Sequence, residues 1–487
     1  MNVLTGVEPV NVFKHFETIC SIPHGSKNTK RISDHLVDFA KEHDLKYIQD
    51  EYNNVIIFKN GQKGGENSET IILQGHIDMV CEKDADSDID LEKSGLKLIL
   101  EDGILSADGT TLGGDDGIAV AYMMAILESD DIPHPPLECT FTVDEEIGMI
   151  GAMGMDMSVL KGRKLLNIDS EEEGHLLVSC AGGAAVNLKF PILRRGAQGK
   201  TYKLVVSGLQ GGHSGVDINS GRASADILMT ALLKDMLLAD DTLRLIGMKG
   251  GFKDNAIPVR AEAVICSNNA AVLNPVIQEF LDNAKASYKA TEPGLKIEFE
   301  EVDKKDTEYA DLYPIDELNN LNLIMALGDL PFGVKKMSED IEGLVQTSLN
   351  LGIINTTADE IVMTYSVRSS VNSERQELID DLGLLAKSVG GSSSVYGIYP
   401  AWEYNQDSEL REIITSTYEE MYGEPMIVEA LHAGLECGIF CDKIKDLDAV
   451  SFGPDIFDIH TTRERIPVES VERVWKYILL LLSNMCK

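Results

Sequence analysis

The strongest constraint on how this chain folds is a pattern met three times: a short strand-like run, apolar or alternating, that stops at histidine or carboxylate side chains. Residues 71–80 read Ile-Ile-Leu-Gln-Gly-His-Ile-Asp-Met-Val, residues 137–146 end in Asp144-Glu145-Glu146, and residues 164–168 run into Asp169. Runs this short and rich in Ile and Leu suit buried parallel strands, and open α/β sheets bind their ligands at the carboxyl ends of such strands. Residues two apart on an extended chain face the same side, so the Asp78 carboxylate can reach His76 and select its tautomer. A fourth segment, the glycine-rich 105–117, leads straight into a helix-forming stretch over 118–128 and sets Asp115 and Asp116 at the helix start. Acids at that position also cap a helix and complement its dipole, so position alone does not make them ligands.

At 487 residues the chain exceeds the roughly 250–300 at which one core stops growing, so two or more domains are expected. The formal charge of −37, from 80 acidic and 43 basic side chains, opposes binding to nucleic acid or to an anionic membrane. Residues 1–10 lack a basic and apolar signal pattern, and the late apolar run 478–482 is far short of a membrane span, so a cytoplasmic location is expected. The eight cysteines include no Cys-x-x-Cys pair and read as reduced thiols. Cys437 and Cys441 share a helical face, where packing explains them.

Helical spacing of Val12, Phe13, Phe16 and Ile19, and of Ile32, Leu36, Phe39 and Ala40, predicts two opening helices, with strands over 46–49 and 55–59 following. From about residue 187 strands at 202–207, 261–266, 295–299 and 361–367 alternate with helices at 273–288 and 375–389. A helix is also expected from about Gly221, after the Gly212-His213-Ser214-Gly215 turn. The α/β rhythm returns after Trp402, with helices expected from Ser408, His432 and Ser470 and with Asp458-Ile459-His460 in a loop. The expected fold is α/β: a catalytic domain over 1–186 and 399–487, with a mostly parallel sheet flanked by helices, interrupted by an α+β lid domain over 187–398.

His76, Asp115, Glu146, Asp169 and His460 form a set of imidazoles and carboxylates at the ends of one sheet. Nitrogen and oxygen donors without thiolate suit zinc, cobalt or manganese, and five ligands suit two ions sharing a bridging carboxylate better than one tetrahedral zinc. Competing motifs fail. There is no His-Glu-x-x-His, Gly199-Lys200-Thr201 has Arg194 where a phosphate loop needs its first glycine, and Gly148, Gly151 and Gly154 have the wrong spacing for a dinucleotide fingerprint.

With these residues in view, the chain resembles the dizinc peptidases that include aminoacylases, glutamate carboxypeptidases and cytosolic dipeptidases. The resemblance is carried by residues 75–80, 109–117, 144–146, 167–171 and 432–438, and is closest to the bacterial aminoacyl-histidine dipeptidase branch. It implies that Asp115 bridges two divalent metal ions, most naturally zinc with cobalt or manganese as alternatives. His76 and Asp169 would complete one ion, Glu146 and His460 the other. Glu145 would be the general base and Asp78 the support of His76. His213 would stabilise the oxyanion, Asn255 and Arg368 would bind the substrate carboxylate, and the Asp115–Asp116 peptide would be cis. The implied reaction is metal-dependent hydrolysis of dipeptides, Xaa-His including β-alanyl-histidine, with a deacylase of N-acyl amino acids or a broader di- or tripeptidase as the alternative. The implied partners are a small dipeptide and no nucleic acid or membrane, and the resemblance leaves room for a homodimer. A metal-binding protein without chemistry would have no use for Glu145, and a purely structural protein would not collect ligands at strand ends.

Overall fold

The computed structural model describes residues 3–486, so Met1, Asn2 and Lys487, the outer ends of the expected catalytic segments, lie outside the described residues. The chain divides into two compact units, one of residues 1–180, 402–430 and 435–487, the other of residues 181–401 and 431–434. The inserted unit thus takes in the expected 187–398, a few residues on either side, and one short return at 431–434.

The first unit is built on an eight-stranded sheet. Its centre is parallel: Ile71–His76 pairs with Leu137–Thr142 on one side and with Lys164–Asn167 on the other, and Lys164–Asn167 pairs in parallel with Asp448–Ser451. Towards the edges the ladders turn antiparallel, as in Val55–Lys59 against Leu137–Thr142 and Lys46–Gln49 against Val55–Lys59. Every residue of Ile71–His76 and Leu137–Thr142 is buried, the polar Glu138, Thr140 and Thr142 included, as befits the centre of a sheet covered on both faces, while the edge strand Lys46–Gln49 is only partly buried.

The helix Gly114–Glu128 lies against this sheet, and its residues 118–127 are all at most 2% exposed. Its sequence is apolar on every face, and such a helix must be covered all round. The amphipathic helix Val10–Cys20 packs on one side. The C-terminal helix Val468–Asn484 supplies another contact, where Tyr122 donates to the Val471 carbonyl at 2.9 Å and stacks on Trp475 at 5.9 Å. Gly75 serves the same packing: a Cβ there would run into Asp116 Oδ2 and come 2.9 Å from Ala119 Cβ. Truncating a fully buried strand residue such as Ile72 should cost about 2–5 kcal/mol, the usual range for an emptied aliphatic site.

The inserted unit carries a nine-stranded sheet whose ladders are antiparallel, as in Val345–Thr356 against Glu360–Ser369 and the latter against Gly182–Pro191. Helices Ala225–Ala239, Ala270–Ser287, Glu317–Leu327 and Asn372–Ser388 cover it and close a core that includes Leu228, Met229, Leu232, Leu349, Leu351 and Tyr365. Two helices start four residues later than the sequence expectation. The helix anticipated from Gly221 begins at Ala225, and the one anticipated from His432 begins at Glu436. At the first the backbone is held by the long-range bond of Ala225 N–H to the Pro258 carbonyl, and at the second the chain ahead of the helix is tied by the His432 side chain to Ser348; periodicity registers neither.

Candidate metal centre

Parallel pairing in register brings the expected ligands to one edge. His76 ends its strand opposite Thr142, four residues before Glu146, and Gln74 lies opposite Asn167, two residues before Asp169. Asp448–Ser451 leads out along the same direction into the loop that carries His460. Asp115 enters from the start of the buried helix, through a cis peptide to Asp116.

Asp115 stands between the two imidazoles. Its Oδ1 lies 3.0 Å from His76 Nε2 and its Oδ2 lies 3.1 Å from His460 Nε2. His76 Nε2 is also 3.6 Å from Asp169 Oδ1, and His460 Nε2 is 3.0 Å from Glu146 Oε2. His76 Nδ1 lies 3.0 Å from the carbonyl oxygen of Asp78, which can only accept, so Nδ1 carries the proton and Nε2 faces the carboxylates. The Asp78 carboxylate itself is 3.6 Å from that ring nitrogen. Its Oδ1 accepts the Glu145 backbone N–H at 3.1 Å and its Oδ2 the Ser26 hydroxyl at 2.8 Å. The sequence expectation had the Asp78 side chain supporting His76. The shorter contact is made by the Asp78 main chain, and the side chain orders Glu145.

Charge in this cluster is unbalanced. For His76, burial alone would lower the pKa, but the hydrogen bond to Asp115 and the nearby Asp169 and Asp78 carboxylates outweigh it and hold the imidazole well above its ordinary value. Hydrogen bonds to Asp115 and Glu146 push His460 up to about 10. For Asp115, burial works upward, yet the bonds from His460 and His76 hold the carboxyl well below the usual range. Burial, aided by Asp169, Glu436 and Glu146, lifts Glu145 well above an ordinary glutamate. Burial, aided by Asp115 and Asp169, raises Glu171 to about 8.

These features fit divalent cations. Two overlapping groups, His76/Asp116/Asp169 and His76/Asp115/Glu146, offer ligand atoms within 4.8 Å of one another, and none of the donors is a thiolate. Glu146 Oε1 is buried without a hydrogen-bond partner, as expected of an acceptor meant for a cation. Beside Glu146 opens a cavity of about 860 Å³ lined in part by Ser26, Lys27, Arg31, Cys81 and Glu82.

The remaining expected site residues belong to the inserted unit. His213 Nδ1 accepts the Gly215 and Val216 backbone N–H groups, each at 3.3 Å, which leaves Nε2 as the protonated nitrogen. Arg368, the penultimate residue of the strand Glu360–Ser369, is 8% exposed and donates to the Tyr399 hydroxyl at 3.0 Å. Opposite it in register is Ser348, whose hydroxyl lies 2.7 Å from His432 Nε2. Burial and Arg368 together lower His213, and burial, Arg368 and His213 bring His432 down to about 3. Asn255 is exposed, and its carbonyl accepts the Ser214 N–H at 2.8 Å.

Sequence reasoning missed several carboxyls around the centre. Asp116 Oδ2 accepts the His76 backbone N–H at 3.1 Å, and Glu436 accepts from Gln74 at 2.6 Å and Thr142 at 2.5 Å. Glu464 receives backbone N–H groups next to Asp115. The only signal for Glu464 was its place four residues after His460.

Comparison with known proteins gives a consistent assignment. The model of peptidase family M20/M25/M40 matches residues 72–484. The chain is 32% identical to the cytosol non-specific dipeptidase of Escherichia coli K12, over 100% of this chain and 99% of that protein. The crystal structure of aminoacylhistidine dipeptidase from Vibrio alginolyticus superposes with a TM-score of 0.91 at 35% identity, covering 98% of this chain and 97% of that one. A tripeptidase from Staphylococcus aureus shares the fold at a TM-score of 0.58 and 16% identity, covering 99% of each chain. With its parallel strand ends carrying a cluster of imidazoles and carboxylates and its match along nearly the whole length, the chain belongs to peptidase family M20/M25/M40.

Proposed function

We propose that this protein hydrolyses the peptide bond of dipeptides with the help of two divalent cations, zinc being the most natural choice, and that Xaa-His dipeptides including β-alanyl-histidine are among its substrates. The observation that carries the reading is Asp115, whose two carboxylate oxygens each face a different imidazole, His76 at 3.0 Å and His460 at 3.1 Å. Asp169 and Glu146 would complete the two ligand sets. Cations bound there would acidify a coordinated water and polarise the scissile carbonyl.

The chain's own residues do the rest. Glu145, with its backbone N–H held on Asp78 Oδ1, takes a proton from the attacking water and returns it to the departing amine. Arg368, with Asn255, is the inserted unit's candidate for the substrate's terminal carboxylate, since a planar guanidinium on a strand can bind it through two parallel bonds. His213, protonated at Nε2, is the candidate donor to the carbonyl oxygen as charge develops on it. The cavity beside Glu146 is of a size suited to a small peptide. The E. coli and V. alginolyticus proteins, both named as dipeptidases, support the substrate class. A cytoplasmic location is supported by the eight unpaired cysteines and the name of the E. coli relative.

The test is a panel of Xaa-His dipeptides, other dipeptides, tripeptides and N-acyl amino acids, run with metal-loaded and metal-depleted protein. Metal-dependent turnover of dipeptides, with Xaa-His members included, is the expected result. Preference for N-acyl amino acids would replace the dipeptidase reading with a deacylase one.

A further inference from the structure

We infer that Glu464 is a positioning residue for the metal centre, which holds bridging Asp115 and ligand His460 in register through a carboxylate bound to four backbone N–H groups. The inference rests on the ligand roles proposed for Asp115 and His460. Glu464 is 3% exposed. Its Oε2 accepts from Leu112 at 2.8 Å and Gly113 at 3.1 Å, and its Oε1 accepts from Gly114 at 2.7 Å and, more weakly, from Asp115 at 3.4 Å. These are the successive donors that lead into the buried helix.

The surrounding chain is shaped around that carboxylate. Gly113 has φ 67°, and a Cβ on it would come 2.9 Å from Met79 Sδ, while a Cβ on Gly114 would run into Ile466 Cδ1. The two glycines let successive amides turn towards a single anion. Ordinary helix caps come from the residue just before the helix, and a short polar residue there would have been enough for capping. Here the acceptor arrives from the other end of the sequence, in the loop that carries His460.

That loop is closed at its base. Phe457 and Arg465 exchange backbone bonds at 2.9 and 3.1 Å, and Arg465 pairs with Asp458. Inside it the Glu464 N–H bonds the Thr461 carbonyl at 3.1 Å, and His460 holds a left-handed φ of 59°. One short rigid excursion therefore presents an imidazole to Asp115 Oδ2 and a carboxylate to the Asp115 main chain. A shift of Glu464 would move both ligands with respect to each other. An outer group that orients a ligand commonly carries ten- to hundredfold in metal affinity.

The experiment compares four variants of the intact protein: Glu464→Gln, Glu464→Asp, Asp115→Ala and Glu138→Gln. Gln keeps one acceptor but turns an amide donor towards two N–H groups, and Asp keeps the charge on a shorter arm. Glu138 is the matched control, another 3% exposed carboxylate that accepts backbone N–H groups, from Lys161 and Gly162, away from the cluster. Metal content and affinity are read by elemental analysis and chelator competition, ligand geometry by the visible spectrum of the cobalt-loaded protein, and kcat and KM separately at saturating metal.

Both Glu464 variants are expected to bind metal roughly ten- to hundredfold more weakly, to alter the cobalt spectrum, and to lose kcat with KM within about twofold. Glu138→Gln should match wild type in all three. Wild-type metal affinity and spectrum in the Glu464 variants, alongside metal loss in Asp115→Ala, would overturn this inference alone. Undiminished binding of two ions by Asp115→Ala would instead overturn the bridging assignment beneath it. If Glu464→Gln does not fold, Glu464→Asp decides by the same readouts.

Discussion

Two pairs of histidines in this chain live in opposite electrostatic surroundings. His76 and His460, in the first unit, sit against carboxylates and are held above the ordinary imidazole range. His213 and His432, in the inserted unit, are lowered by burial and by the Arg368 guanidinium. The first surroundings are what a cation requires, because uncompensated carboxylates attract positive charge and neutral imidazoles can ligate it. The second suit an anion or a developing oxyanion, because a guanidinium brings positive charge and neutral imidazoles can donate. Identical side chains are thus shifted in opposite directions, and the local field decides which.

The largest expected effect comes from emptying the acidic cluster. Removal of metal by a chelator should abolish peptide hydrolysis, and elemental analysis of active protein should find up to two ions per chain. Full activity of metal-free protein would leave the carboxylate surroundings without their proposed purpose.

Next in size is Glu145→Gln, which keeps the shape of the site but removes the proton acceptor. Metal content should stay near wild type while kcat falls by about 10² to 10⁴. An unchanged kcat would assign the base elsewhere.

The basic cluster is sharpened by Arg368→Ala. It should raise KM for dipeptides with a free terminal carboxylate by roughly ten- to hundredfold, the equivalent of a charged hydrogen bond worth about 1.5–3 kcal/mol. C-terminal amides should be affected much less. Equal losses on both substrates would place the role of Arg368 in the local packing with Tyr399.

The smallest effect concerns pH. His432 has a folded-state pKa of about 3, below the roughly 6.5 of an unfolded histidine. Between those values the unfolded chain takes up a proton that the folded chain refuses, so His432 favours unfolding increasingly as pH falls from about 6.5 towards 3, and has no such effect above that window. Its contribution to the slope is at most about 1.4 kcal/mol per pH unit. Denaturation of His432→Gln followed across this range should show a flatter loss of stability than wild type. An identical slope would mean that His432 is not held neutral.

Legibility followed the kind of residue pattern involved. The central strands were readable because their apolar residues recur in a strand pattern, Ile71-Ile72-Leu73 in one and alternate Leu137, Cys139 and Phe141 in the other, and stop abruptly at polar side chains. The longest strand of the inserted unit, Val345–Thr356, was not, because its run Val-Gln-Thr-Ser-Leu-Asn-Leu-Gly mixes polar and apolar residues that are nonetheless buried. Its polar side chains reach distant partners, as the Asn350 amide nitrogen does in donating to the Asp254 and Ala256 carbonyls and the Ser348 hydroxyl does with His432. Burial of that kind has no local signature.

What the sequence determined by itself was the set of histidines and carboxylates at the strand ends and the helix that follows the glycine-rich 105–117 turn, since hydrophobic periodicity and abrupt polar endings act within a few residues. Only the tertiary structure decided that Asp115 faces one imidazole with each oxygen, that the main chain of Asp78 rather than its carboxylate makes the short contact to His76, and that Glu464 ties the Leu112 to Asp115 amides to the loop of His460. These are hydrogen bonds between residues that parallel pairing and loop closure bring together. Their angles and distances depend on backbone atoms that every residue shares, and so leave no mark in the order of side chains.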